Sequence, residues 1–400
     1  MTLEKTAAAI DATLLRVDWR LRAVVIAATI VHMTWLAIPQ VPRAYVDYRH
    51  LPVVSGIPQM ENYGTDTIAD MYAAKVVLND PADMYRRERL EQTALERATW
   101  TRQASAPYPP AALLAAAALY AIGSATGVGY YGMVLLLAVL FLGLSLWFFL
   151  QTRWYLFPVL YLNFSYFASR FVYVQDGSYL AMLVIVMVAL VLARWQTNIS
   201  HLLMAVATTM KVSPIAYAWQ LLEMRRRTAL VFVAILLAGF VLPYFIWDNY
   251  LYIYTFHEQL KGNVYDTIAA VVVVVPFTIV LRYVETRLNF DLEDRIGWAL
   301  VPFAMFLGIK MRVARHLLIV LLVPDKRGPR NLVAALGLGL YALPTNTFRL
   351  GSVLYISVVL LGVTLAYYLR SIGWNTVRDD VRQWKRTARL MLHGRIPAGR

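Results

Sequence analysis

Two carboxylates one helical turn apart, Asp66 and Asp70, carry the clearest chemistry in this chain. They lie in residues 64–110, a segment that opens GTDTIADMYAAKVVLNDPADMY and closes SAPYPP, between a first hydrophobic stretch and a long series of others. Ile68, Met71, Tyr72 and Val76 recur around the pair at helical spacing, so ordered helix is expected here rather than a loose connector. A carboxylate held at a lipid–water boundary suits proton abstraction, which points to an enzyme working at a membrane surface. Both residues also fit a plainer role. Asp66 follows Gly64 and Thr65 at an expected helix start, where a carboxylate caps free backbone N–H groups, and Asp70 in the first turn complements the helix dipole.

The remaining candidates are spread along the chain. Lys211, Lys310, Arg312, Arg315, His316 and Arg349 each sit at a break between apolar stretches. Gln175 and Asp176 head a span expected over 179–194, where they either cap the helix or touch a ligand. His257 and Glu258 belong to the aromatic stretch WDNYLYIYTFHEQLKGNVYD, which also fits an interfacial belt. The six His are too scattered for a metal site, and there is no HExxH motif and no phosphate-binding glycine loop.

The elements that must position these residues follow from composition. Hydrophobic residues make up 60% of 400, charged residues 16%, and mean hydropathy is +0.54, which is too apolar for a soluble domain and fits a polytopic membrane protein. With no Cys, disulfides and thiolate metal sites are impossible. The net charge of +14 resides in short runs between apolar stretches: Arg225 to Arg227; Lys326, Arg327 and Arg330; and the tail from Arg378. That distribution is a positive-inside signal rather than a nucleic-acid interface.

Sidedness follows from those charges. The first span, residues 23–41, is too long for a signal-peptide core and reads as an uncleaved anchor behind a cytoplasmic N-terminus, 1–22. Residues 42–108 form an external loop with interfacial helices; Arg153, Arg194, 225–227, 282–295 and 325–330 are cytoplasmic, as is the basic tail, 372–400. Between Arg194 and Arg225 the chain must go out and return through two short helices, with Lys211 and Pro214 at the outer turn. Parity makes 109–124 an interfacial or half-inserted helix. The expected fold is a single all-α polytopic domain over 1–400, with roughly ten to thirteen membrane helices, several of them short.

On that topology Lys211, Lys310, Arg312, Arg315, His316 and Arg349 gather on the external face together with Asp66, Asp70, Gln175 and His257, whose aromatic stretch is an external loop. Cations on the unfavoured side of a bilayer need a partner. The phosphate of a lipid carrier is one, because Arg forks bind its oxygens bidentately and Lys supplies a point charge. A base facing a phosphate-binding cluster is the layout for moving a sugar from a polyprenyl phosphate to a hydroxyl.

The order of features is an acidic external loop, Tyr72-Ala73-Ala74, Tyr108-Pro109-Pro110, Val174-Gln175-Asp176-Gly177-Ser178-Tyr179, Lys211 three residues before Pro214, and a late Arg315-His316. In that order the chain resembles the GT-C membrane glycosyltransferases, particularly glycosyltransferase family 87. That family includes the polyprenol-phosphate-mannose-dependent mannosyltransferases of mycobacterial phosphatidylinositol mannoside synthesis. The resemblance covers most of the chain. It implies a GT-C-type helical bundle in a bacterial plasma membrane, both termini cytoplasmic, an extracytoplasmic active site, and a polyprenyl-phosphate sugar as donor. It also implies a lipid-linked or glycan acceptor and a catalytic Asp in the first external loop. Lys211 and His316 would lie near the donor phosphate, with Lys310, Arg312, Arg315 and Arg349 around them and no metal required. Gln175, Asp176, His257, Glu258, Tyr63 and Tyr108 are the sugar and acceptor candidates.

The chain departs from the family pattern in two places. Asp66 stands one residue further from Tyr72 than usual, which keeps Asp70 as a rival base. The late motif reads Lys-Met-Arg-Val-Ala-Arg-His where the family often has Ser-Pro and paired His. A second function class, a polytopic transporter or lipid flippase, would also use intramembrane charges and broken helices. It is disfavoured by the lack of an internal repeat and by the long structured loop. A membrane acyltransferase is a weaker third.

Overall fold

The computed structural model describes residues 3–37, 53–54, 57–58, 74, 77–79, 81–83, 85, 109–158, 177–211, 213–247, 250, 264–311, 362 and 365–392. Helices dominate. They are α1 (Leu3–Leu15), α2 (Trp19–Ala37), α3 (Pro110–Thr126), α4 (Gly129–Gln151), α5 (Gly177–Leu192), α6 (Thr197–Lys211), α7 (Arg226–Phe240), α8 (Leu242–Ile246), α9 (Val264–Arg287), α10 (Leu292–Met311) and α11 (Trp374–Leu392). A 3-10 segment, Ser213–Leu222, follows α6, and a two-residue antiparallel pair joins β1 (Val53–Val54) to β2 (Ile57–Pro58).

Among the described residues, three stretches are long and apolar enough to cross a membrane: Gly132–Gln151 in α4, Arg226–Ile246 through α7 and α8, and Ile268–Arg287 in α9. Their outward faces carry exposed Leu136, Val139, Leu230, Phe245, Val272 and Ile279, as lipid-facing helices should. The chain is thus a helical protein with membrane-spanning character. The expected count of ten to thirteen membrane helices extends into 159–176 and 312–361, outside the described residues.

Local sequence accounts for the boundaries. The first apolar helix begins at Trp19, four residues before the expected start, because an oxygen of Asp18 accepts the backbone N–H of Arg20 at 2.8 Å and caps the helix there. The helix therefore takes in Arg20 and Arg22. Tyr108-Pro109-Pro110 does open a helix: α3 starts at Pro110, where the missing N–H costs nothing. At 17 residues α3 is shorter than the three spans. It ends on Gly127, whose φ of 73° a side chain would resist. After α6, Pro214 cannot donate to the carbonyl four residues back and its ring collides there, so the α-helix stops at Lys211 and the tighter 3-10 form continues.

Among the described residues, packing makes two large cores. In the larger, α3 to α7 and the 3-10 segment enclose Phe141, Phe148, Phe149, Met187, Met204, Tyr217 and Phe232. In the smaller, α9, α10 and residues 365–372 enclose Phe277, Leu281, Trp298, Met305 and Tyr368. Gly177 lies where α5 meets α3 and α4. A Cβ there would stand 2.7 Å from the Tyr130 hydroxyl and 2.9 Å from a Val134 methyl, so only Gly admits this approach.

A belt of charge closes one end of the bundle. Arg194 pairs with Glu293 and bonds Gln151 at 2.8 Å. Arg295 bonds Gln220 at 3.0 Å and pairs with Glu223, which also receives Arg282. Arg282 reaches the buried Glu285 at 3.1 Å, and Arg287 pairs with Asp380 of α11. Beside them Arg153 clamps Asp11 of α1, and the Trp154 indole donates to the Leu14 carbonyl at 3.0 Å. The segments at 153, 194, 225–227 and 282–295, read from charge alone as one side of the membrane, therefore meet at one end, the third through Glu223 just before it.

Candidate active site

The opposite end is where the sequence locates the chemistry. Asp66, Asp70, Tyr63, Tyr108, Gln175, Asp176, His257, Glu258, Arg312, Arg315, His316 and Arg349 all lie outside the described residues. The backbone is described at two candidates. Lys211 is the last residue of α6, and Lys310 is the penultimate residue of α10. Both helices begin at the belt, α6 just past Arg194 and α10 at Glu293, and run away from it. The 3-10 segment then returns to the belt at Gln220, giving the out-and-back path expected around Lys211 and Pro214.

The flanks of two of these candidates, Asp70 and Asp176, meet one turn of α3. Ala74, four residues after Asp70 and last of the Tyr-Ala-Ala triplet, is fully buried against Ala116 and Ala117, with Val77 and Tyr120 beside it. Gly177, directly after Asp176, lies against Leu119 on the same turn; its Cβ would stand 3.2 Å from a Leu119 methyl. α6, which ends in Lys211, packs on α3 as well. The alanines explain the fit: with only methyl groups on both sides, the backbones approach closely, as small-residue interfaces allow inside membranes.

A second contact ties the first external loop to the segment before His257. The Trp247 indole donates to the Pro81 carbonyl at 2.9 Å. Buried Tyr85 meets the Trp247 and Tyr250 rings edge-on, with centroids 5.4 and 5.3 Å apart. These rings form an aromatic corner at the end of α8, and both partners come from segments assigned to the external face.

The belt offers different chemistry. A small pocket there, with room for about one water molecule, is lined by Trp219, Gln220, Thr278, Arg282, Glu285 and Arg295. It is too small for a sugar, its charges already pair with one another, and it lies at the end away from Lys211. We read it as structural. In the loop beside it, burial pushes the Glu223 carboxyl up, but the bonds and charges of Arg295 and Arg282 outweigh that and hold it below the ordinary range. Among the described residues no group of three or more potential metal ligands comes together.

Sequence reading missed the carboxylates of this belt. Arg194 and the 282–295 cations were weighed as sidedness markers, whereas Glu223, Glu293 and Asp380 pair with cations 59 to 99 residues away in the chain. The available signal was the recurrence of acidic residues beside 225–227, within 282–295 and in the tail, though the Arg153 and Arg194 segments carry none. No family model matches the chain, and neither a curated protein nor a solved structure matches it.

Proposed function

We propose that this chain is a membrane glycosyltransferase that moves a sugar, mannose by family resemblance, from a polyprenyl-phosphate donor to a hydroxyl of a lipid-linked or glycan acceptor. Asp66 or Asp70 takes the acceptor proton as the hydroxyl oxygen attacks the anomeric carbon. The bond from that carbon to the phosphate oxygen breaks, and the polyprenyl phosphate leaves with the electron pair. Lys211, Lys310, Arg312, Arg315, His316 and Arg349 surround the phosphate and stabilise its growing charge. Gln175, Asp176, His257, Glu258, Tyr63 and Tyr108 orient the sugar and acceptor.

The observation that carries this reading is the turn of α3 at 116–120. It receives the segment four residues past Asp70 and the segment directly past Asp176. Segments that flank two candidates, drawn from separate parts of the sequence, thereby meet one helix that also packs on α6, which ends in Lys211.

The test is transfer in proteoliposomes from labelled polyprenyl-phosphate sugars, with nucleotide sugars compared in a carrier-free preparation. Transfer is expected from the lipid-linked donor and should persist in EDTA. Either Asp66→Asn or Asp70→Asn should lower the rate by ~10²–10⁴-fold, the range for a lost general base, while the protein still inserts. Full activity in both variants would show that the carboxylates are helix caps. Transfer from a nucleotide sugar without carrier lipid would rule out the donor.

A further inference from the structure

α11 stands apart from every other helix in the bundle. Its sequence, WNTVRDDVRQWKRTARLML, divides cleanly when wound at 100° per residue. Trp374, Val377, Val381, Trp384 and Ala388 fall on one face, and Lys385, Arg378, Arg389, Arg382 and Arg386 form a stripe along one flank of it. The other flank carries Asp380, which is buried: the Tyr283 hydroxyl donates to it at 2.7 Å and Arg287 pairs with it. The Trp384 ring meets Tyr283 edge-on, with centroids 5.5 Å apart. These contacts fix how α11 is rotated against α9. The apolar face is left largely uncovered, with Trp374 59%, Trp384 53% and Val381 39% exposed.

We propose that α11 is a membrane-surface helix whose uncovered apolar face enters the headgroup boundary and whose basic stripe binds anionic lipid headgroups. Three observations select a lipid surface as the occupant. The first is the anchor. Arg287 is the last residue of the span Ile268–Arg287, whose outward face exposes Ile268, Val272, Val275 and Ile279, so α11 is tied to the level at which an apolar span leaves the hydrocarbon. The second is charge. Arg378, Arg382, Lys385 and Arg386 are all exposed, while of the two acidic residues one is engaged by Arg287 and the other, Asp379, reaches Arg382 only at 3.5 Å. The third is residue type: tryptophans on the apolar face with arginines beside them is the composition of a helix lying in the interface plane. Anionic lipids in that plane attract such a stripe, and salt weakens the attraction.

The test uses the full chain, which has no cysteine of its own. Val381→Cys carries an environment-sensitive fluorophore, and the protein is placed in nanodiscs of phosphatidylcholine alone or of an equimolar mixture with phosphatidylglycerol. Acrylamide, a neutral water-soluble quencher, reports exposure. Quenching should fall several-fold in the anionic discs, recover in high salt, and stay high when Arg378→Gln, Arg382→Gln and Arg386→Gln are combined. Trp374→Cys, on the same face, gives the same readout if the first position disturbs folding. Equal quenching in both discs overturns the proposal, as does protection that the triple variant keeps. No outcome depends on sugar transfer, so the proposal stands or falls independently of the proposed reaction.

Discussion

Arg153 holds α1 against the bundle through both oxygens of Asp11, at 2.9 and 3.1 Å, and the Tyr155 hydroxyl donates to the same carboxylate. Burial pushes the Asp11 carboxyl up, but the bonds from Arg153 and Tyr155 and the Arg153 charge outweigh it, leaving the group below the ordinary range. A carboxyl depressed on folding contributes stability that is present above its unfolded value and lost as pH falls through its folded value. Glu223 shifts in the same direction. Acidification below the usual carboxylate range, about pH 4, should therefore release α1, seen as faster amide exchange over Leu3–Leu15. Asp11→Asn should lose about 1–3 kcal/mol by leaving Arg153 without its anion, and should remove most of that acid step. An unchanged acid profile in the variant would assign the step to another group. Arg153 was legible as a positive marker, but its partner lies 142 residues earlier, and no local pattern announces such a pair.

Helices were the most legible level because apolar runs and breakers set their ends. The span expected over 179–194 is α5, Gly177–Leu192, two residues earlier at each end. The Lys211 and Pro214 break is a change from α to 3-10 helix rather than an open loop, which ring geometry explains and a hydropathy reading does not resolve. Close approaches were not legible. Gly177 is needed less for its backbone than for the space that Tyr130 and Val134 leave. Gly177→Ala should destabilise the bundle by about 1–3 kcal/mol through overpacking. Gly143→Ala, on α4 with open space around it, should be neutral or gain up to about 1 kcal/mol from helix propensity. Equal effects in a detergent-denaturation series would show that α5 does not approach as closely as described.

For the whole molecule, charge foretold which segments share an end, because cationic segments pay least when gathered on one side. It did not foretell that carboxylates would join them, since sidedness rules weigh Lys and Arg alone. Because the chain has no cysteine, single-cysteine labelling maps sidedness directly. Single cysteines at Gln196, beside Arg194, and at Val128, in the turn between α3 and α4, should label from opposite faces. A tag after Arg400 should be reached from the Gln196 side. Labelling of Gln196 and Val128 from the same face would break the out-and-back path and separate Lys211 from the external loop.

The lengths of the helices leaving the belt carry one more consequence. At 1.5 Å per residue, the 15 residues of α6 rise about 22 Å, whereas the 24 of α9 rise about 36 Å. Hydrocarbon is about 30 Å thick. The backbone at Lys211 thus ends about 14 Å short of the rise of α9, and about 8 Å short of a full hydrocarbon thickness. A bilayer adapts to such a shortfall by thinning or by letting water follow the polar groups down. A polar group resting on that turn would keep much of its hydration.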